Sequence, residues 1–451
     1  MKILFILSEY LPESGGGIIS YYGGMLSRIV EEGHSVDVLV VSAGTVGQPG
    51  ISINGVHVSY LDEKYLARYQ VGFERYMIGF PTFAAFLPLA WAAYEQTGHG
   101  GGYDLVETTD FPMLFAPWVV STDSPPTVVS LHGSCGQLDW YEYPDRNSMD
   151  GDLLRFVERT AFSCAPGVYA NSQANACFWE ASTRRAIPLL QPAQLGKNDI
   201  PYRITECSIH GVVVGRFQKW KGSRVICEAL KQLPGEGIRW IGRDVIDAFT
   251  GIPHSASLKK EFPDILDNQL VFEGSMSRQD IFREIAAAPY LCVPSEWDVF
   301  NITVVEAMNL GTPVICSIRA GASMLIENHR NGFLFNPEKP EELAACIRTV
   351  LGLSSEGREN IVRNAMQTIK IQLDPDRLIA KRMAFYQDVI VSYSGWKTDE
   401  WLKDALSPRE ESENRAERLR SYTTKELVKA SGAQAMDGIL RHLGVGHKSL
   451  P

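Results

Sequence analysis

Residues 294–314 read PSEWDVFNITVVEAMNLGTPV. An apolar strand ends at Pro294, and a loop follows. The spacing predicts a helix starting near Asn301 and running to Asn309; Gly311 ends it and Pro313 opens the next strand. Two carboxylates bracket the helix start. Asp298 stands before it, and Glu306 lies roughly a turn and a half inside it. The amides of Asn301, Ile302 and Thr303 fall in the first turn, where N–H groups have no intrahelical acceptor and favour an anion such as phosphate. Carboxylates beside such a site accept hydrogen bonds from sugar hydroxyls. Taken singly, Asp298 reads as an N-cap and Glu306 as a surface carboxylate of an ordinary helix. The joint pattern P-S-x4-F-x5-E-A-M-x2-G-x-P-V argues instead for a sugar diphosphate site.

A second stretch, GRFQKWKG at 215–222, follows an apolar strand directly. Arg216 and Lys221 reach one point across this loop, and two cations there neutralise a diphosphate as it leaves. A solvated basic loop is the plainer reading of these residues alone.

Working outward, Lys2–Leu7 is a strand, a glycine run (Gly15, Gly16, Gly17) follows, then a helical stretch Ile18–Glu32 closed by Gly33, then a strand Ser35–Val41. Such a β-α-β unit implies a parallel sheet covered by helices. Further strands are expected at 57–61, 105–108, 127–131 and 167–170. The pattern restarts near 208: strands at 208–214, 238–241, 269–272, 290–293 and 313–316, and a helix at 224–233. The fold class is therefore α/β, with two Rossmann-like doubly wound domains facing a cleft, where ligands sit outside the carboxyl ends of the strands. The expected division is 1–205 for the first domain, 206–373 for the second, a long helix over 374–396 returning to the first domain, and a polar, partly disordered or helical tail over 397–451. Within that tail 407–418 is expected to be exposed, and 425–443 to form a last helix or two.

The two motif stretches resemble family-4 retaining glycosyltransferases, which pair a G-R-x4-K-G loop with an E-x7-E motif. The resemblance runs from Lys2 to about Tyr393 and is most specific between Ser208 and Phe335. It implies the GT-B form of the two-domain fold and transfer of a sugar from a nucleoside diphosphate sugar with retention of configuration. It implies that Glu306 binds the donor ribose, that Asp298 touches hydroxyls of the donor sugar, and that Arg216 and Lys221 hold the diphosphate. Phe300, Ser275 and Met276 (within FEGSMS, 272–277) and Gly242 fall at donor-side positions. Two positions depart from the family pattern: Asp298 stands where Glu is usual and Asn301 where Gly is usual. The shorter acid changes the reach to the sugar.

In the first half, Gly16 and Gly17 let backbone amides approach a phosphate or an acceptor, or else form a flexible turn. The full G-x-G-x-x-G pattern is missing, and no acid ends the second strand as NAD binding requires. His132 and Gly133 end the strand 127–131. A lone histidine is often structural, but the family commonly has one here, which implies a hydrogen bond to the donor sugar at the reacting centre. Glu107, Thr108, Thr109 and Asp110 either line the acceptor site or form an ordinary loop.

The 451 residues carry a formal net charge of −10, which disfavours nucleic acid as a partner. The eight cysteines are scattered with no C-x-x-C pair, so buried reduced thiols of a cytoplasmic protein are expected. No signal peptide is read at the N-terminus. Residues 77–94, MIGFPTFAAFLPLAWAAY, mimic a membrane span, but Pro81 and Pro88 are expected to break it into one or two buried helices, with a greasy acceptor groove or peripheral contact at the inner membrane face as the other reading. The absence of a D-x-D motif leads to the expectation of no metal; no cofactor is expected, the nucleotide sugar being a substrate. The expected partners are a nucleotide-sugar donor (UDP- or GDP-linked) and a glycan, lipid-linked or small-molecule acceptor, in the setting of envelope polysaccharide synthesis. The alternatives are a non-catalytic nucleotide-sugar-binding or scaffold subunit and a nucleotide-sugar epimerase.

Overall fold

The computed structural model describes residues 1–12, 16–77, 79–143, 148–193, 210–247, 250–395 and 398–409. The first sheet holds β1 (Lys2–Leu7), β2 (Ser35–Val40), β3 (Ile51–Ile53), β4 (Val56–Tyr60), β5 (Leu105–Thr109), β6 (Thr127–Leu131) and β7 (Gly167–Ala170), in the order β3-β4-β2-β1-β5-β6-β7. Only β3 runs antiparallel, against β4. The second sheet holds β8 (Gly211–Val214), β9 (Ile238–Ile241), β10 (Leu270–Gly274), β11 (Leu291–Val293), β12 (Val314–Ser317) and β13 (Phe333–Phe335), in the order β10-β9-β8-β11-β12-β13. Every pairing in it is parallel. Each sheet starts beside its centre and reverses direction there, so loops from both sides of the reversal meet at the carboxyl ends. This is the two-domain GT-B architecture.

The central strands are buried from end to end, as a sheet covered on both faces requires: every residue of β5, β6, β7 and β12 is buried. Among the largest fully buried side chains are Trp118 and Phe115 in the first domain and Trp240, on β9, and Tyr290, just before β11, in the second.

Three local expectations are corrected. The stretch 18–32 is not one helix: Gly23 and Gly24 divide it into helices Gly17–Tyr22 and Met25–Glu31, because adjacent glycines give helical backbone little support. Pro88 does not break its segment. Helix Pro81–Gln96 is continuous, with Pro81 in the first turn, where a missing N–H costs nothing, and Pro88 inside. Among the described residues no helix is long and apolar enough to cross a membrane. Finally, residues after 396 are not all polar surface. Helix Glu400–Leu406 drives Leu402 and Leu406 into the first domain's core beside Phe73 and Val119. The expectations for 410–451 and for Cys207 lie outside the described residues.

Helix Pro375–Ser392 links the two halves. Leu378 packs in the core of the second sheet, whereas Ile379, Tyr386 and Val389 pack in that of the first.

Candidate active site

The loops after β8, β9 and β10 are drawn together by glycine. The Gly242 N–H donates to the Gly274 carbonyl at 2.7 Å, and a Cβ at Gly242 would stand 1.9 Å from the Gly215 carbonyl oxygen. Gly222 is left-handed (φ 84°), and a Cβ there would meet the Pro294 carbonyl oxygen at 2.0 Å. The basic loop therefore lies directly against the start of the 294–314 stretch. Ser275 is exposed beside this junction, and Met276 packs partly into the core of the second sheet.

That packing decides where Lys221 points. Its Nζ lies 2.6 Å from Asp298 Oδ2, with both side chains mostly buried. Burial pulls the Lys221 pKa down, and Asp298 opposes the shift. Arg216 is exposed on the same loop, with Asp298, Glu142 and Glu9 as acidic neighbours and Arg243 as a basic one.

Helix Ile302–Leu310 begins after Asn301, a non-glycine residue in the left-handed region (φ 73°). No side chain caps its first turn. Asp298, a possible N-cap by sequence, turns away to the cations instead. It accepts from Lys221, from Asn301 Nδ2 at 2.9 Å and from Ser295 Oγ at 3.4 Å. Asn301 Oδ1 in turn accepts from the Thr303 hydroxyl. Phe300 is buried behind the helix start, and Ile302 packs partly into both cores. Glu306 is largely enclosed and accepts from Arg278 Nη2 at 3.0 Å. Burial pushes its pKa up to about 7, partly offset by Arg278.

Across the cleft, His132 follows β6, and its Nε2 is 2.8 Å from Ser130 Oγ. Tyr21 meets its ring edge-on at 4.6 Å, and Tyr22 packs at 5.4 Å. Burial, with Arg382 adding to it, pushes the imidazole down to about 3, so it is neutral at physiological pH. Asp110 shapes the turn by accepting from the backbone N–H groups of His132 (2.8 Å) and Gly133 (3.1 Å). Burial raises its pKa to about 7 against the pull of these donors. Beneath it, Glu158 accepts from Ser134 Oγ at 2.7 Å and the Gly136 N–H at 3.0 Å.

Glu107, Thr108, Thr109 and Asp110 are fully buried, so they form neither an exposed loop nor an acceptor-lining surface. At the glycine run, Gly16 precedes helix Gly17–Tyr22, and Glu9 Oε1 accepts from the amides of Ile18 (3.1 Å) and Ile19 (3.4 Å). A carboxylate of the chain itself thus stands where an anion was expected. Gly15 lies outside the described residues.

The two walls touch. Tyr141 stacks on Trp297 at 4.3 Å and 7° between planes, and Trp220 meets the same indole at 5.2 Å. Ser172 Oγ donates to the Val299 carbonyl, and Arg278 Nη1 donates to Ser20 Oγ at 3.3 Å. A Cβ at Gly133 would lie 3.2 Å from Val299 Cγ2. Sequence reasoning missed Arg278 and Glu9. The one visible signal was position: Arg278 directly follows FEGSMS, and Glu9 follows β1 closely.

Residues 16–177 match the glycosyl transferase 4-like domain, and residues 206–368 match the glycosyl transferases group 1 family. The chain belongs to the group 1 glycosyltransferases. Among curated relatives, spore coat protein SA of Bacillus subtilis is 22% identical over 86% of this chain and 99% of its own. The sulfoquinovosyl transferase of Arabidopsis thaliana is 28% identical, but over 34% of this chain and 28% of that relative. Among solved structures, sucrose-phosphate synthase of Thermosynechococcus elongatus superposes with a TM-score of 0.66 at 16% identity, covering 87% of this chain and 100% of that one. HepE of Anabaena, in complex with UDP and glucose, gives 0.60 at 20% identity, covering 86% and 100%. At such identities these structures establish the GT-B fold. The two motif stretches, 215–222 and 294–314, both lie within the part that matches the group 1 family, residues 206–368.

Proposed function

We propose that this glycosyltransferase moves a hexosyl group from a UDP- or GDP-sugar to a glycan or lipid-linked acceptor, with retention and without a metal. The observation that carries the reading is the contact of Lys221 with Asp298 at the open first turn of helix Ile302–Leu310. A cation for phosphate and a carboxylate for sugar hydroxyls meet beside free backbone donors. The donor's diphosphate sits on that turn and takes Lys221 and Arg216 as counter-charges. Both cations stabilise the charge that develops as the glycosidic bond breaks. Asp298 then faces the sugar, and Glu306 accepts from the ribose. His132 donates or accepts at the sugar from the opposite wall as a neutral imidazole.

Among the described residues we read no pair of carboxylates as placed for a double displacement. The acceptor therefore attacks from the face the diphosphate leaves, and the departing phosphate takes the acceptor's proton. The contacts across the cleft keep water from the sugar. HepE was solved with UDP and glucose, which favours a uridine donor for the first trial. The test is incubation with a panel of UDP- and GDP-sugars, reading free nucleoside diphosphate and the anomeric configuration of the product. Release by none of them in the presence of mixed glycan and lipid-linked acceptors rejects the proposal. An inverted product rejects the stereochemical part.

A further inference from the structure

Arg382 lies on the linking helix Pro375–Ser392 and is 2% exposed, and Glu107, in the middle of β5, is not exposed at all. Their closest approach is 3.3 Å. Four buried tyrosines complete the cluster. Arg382 Nη1 donates to Tyr169 (2.6 Å) and Tyr386 (3.0 Å), and Nη2 donates to the Tyr21 hydroxyl. Glu107 accepts from Tyr22 (2.5 Å), Tyr169 (2.8 Å) and Tyr386. Taking both charges out of water is costly, and a well-packed apolar cluster of the same volume would often be as stable. The arrangement instead fixes geometry: a planar guanidinium holds several acceptors in one set of directions.

The direction it fixes leads to the cleft. Tyr21 and Tyr22 end helix Gly17–Tyr22, and their rings form the wall against His132. Tyr21 also donates to the Leu190 carbonyl at 3.0 Å, and Lys381 Nζ donates to Leu189 O at 2.8 Å. The helix that carries Arg382 is rooted by Leu378 in the second domain's core. Leu378 and Arg382, on one helix, thus join the second domain's core to the cluster that holds Tyr21 against the His132 ring.

We propose that Arg382, paired with Glu107, is a positioning residue that sets the orientation of His132 through Tyr21 and Tyr22 and ties it to the seating of the second domain. This rests on the reading of His132 at the reacting centre. Arg382 touches no donor atom, so its loss lowers turnover and leaves nucleotide affinity in place.

The experiment uses the full chain with two variants: Arg382→Met combined with Glu107→Gln, which leaves no lone buried charge, and Tyr21→Phe, which removes only the hydroxyl between Arg382 and the ring. The His132 imidazole is followed by nitrogen–proton correlation NMR, assigned with His132→Ala. This readout needs no turnover. Both variants are expected to move the His132 ring resonances. With a donor that the wild type turns over, kcat is expected to fall about tenfold or more with KM and UDP affinity within about threefold. Arg382→Lys, which keeps the charge but not the fork, is expected to fall between wild type and the double variant. His132 resonances unchanged in folded Tyr21→Phe overturn the proposal, as does a KM rise with kcat intact. If the double variant does not fold, the Tyr21→Phe spectra decide by themselves. A wild type that turns over no donor rejects the proposed function and leaves the His132 resonances to decide this inference.

Discussion

Lys221 Nζ stands 2.6 Å from Asp298 Oδ2, so the cation expected to meet diphosphate is paired with the acid expected to meet sugar. The donor has to part them or insert beside them. Asp298→Asn keeps the shape and an acceptor but removes the charge. UDP binding is expected to hold or tighten by up to about tenfold, because Lys221 then lacks its partner, while sugar transfer falls by about a hundredfold or more. Calorimetry with UDP and a transfer assay check both. Parallel losses in the two would make Asp298 a structural support of the loop.

Arg216→Ala and Lys221→Ala are each expected to lower transfer by about a hundredfold or more, and the double variant to fall well short of the summed effect, since both act on one leaving group. A single variant within about threefold of wild type, below about 0.7 kcal/mol, removes that residue from the leaving-group role.

Glu306 is raised to about 7 by burial, with Arg278 partly opposing the shift. Its carboxylate accepts from ribose hydroxyls more strongly than the neutral acid does, so nucleotide binding favours deprotonation and releases a proton. UDP affinity is therefore expected to rise between about pH 6 and about pH 8 and then level off. Titration calorimetry in two buffers of different ionisation heat measures the proton. Glu306→Gln should bind more weakly by about 1–3 kcal/mol and lose the slope. A slope that survives in Glu306→Gln assigns the titration elsewhere.

Asn301 holds a left-handed backbone and hydrogen-bonds Asp298 through its side chain. Asn301→Gly relieves the backbone, and the Tm is expected to stay level or rise. Asn301→Ala keeps the strain, which costs on the order of 1 kcal/mol, and loses the side-chain bond. Combining Asp298→Glu with Asn301→Gly restores the pair usual in the family and is expected to re-rank the donor panel. An unchanged ranking in the folded double variant would separate this pair from donor choice.

Asp110 and Glu158 are raised by burial to about 7 and about 8. In the unfolded chain such carboxyls titrate at roughly 4. The folded state holds their protons more tightly, so their contribution is fully present below the unfolded value and is lost as pH rises through the folded one. From these two groups the Tm is expected to decline between about pH 4 and about pH 8 and then level off, and to decline less steeply in Glu158→Gln. A flat or rising Tm in the wild type contradicts the raised values.

The sequence by itself determined the alternation of strands and helices, hence two parallel sheets, and it marked the two loops whose side chains Lys221 and Asp298 meet in the fold. Those are local properties: buried parallel strands must be short apolar runs, as in TVVSL of β6, and a helix start after a strand leaves its amides in a first turn that glycine and proline mark out. Its failures were local as well. Gly23 and Gly24 divide a helix that periodicity ran through, and Pro88 rides inside a helix where, with Pro81, it was expected to break a longer one. Tertiary structure alone decided the pairings. Nothing in the spacing of Glu107 and Arg382, 275 positions apart, shows that they meet under His132. Nor does the interval between Lys221 and Asp298, 77 positions, show that the acid turns from its own helix to a cation. A motif fixes which groups a short stretch offers. Which groups they face is set by how strands, loops and helices pack, because burial leaves each charge only the partners that neighbouring elements supply.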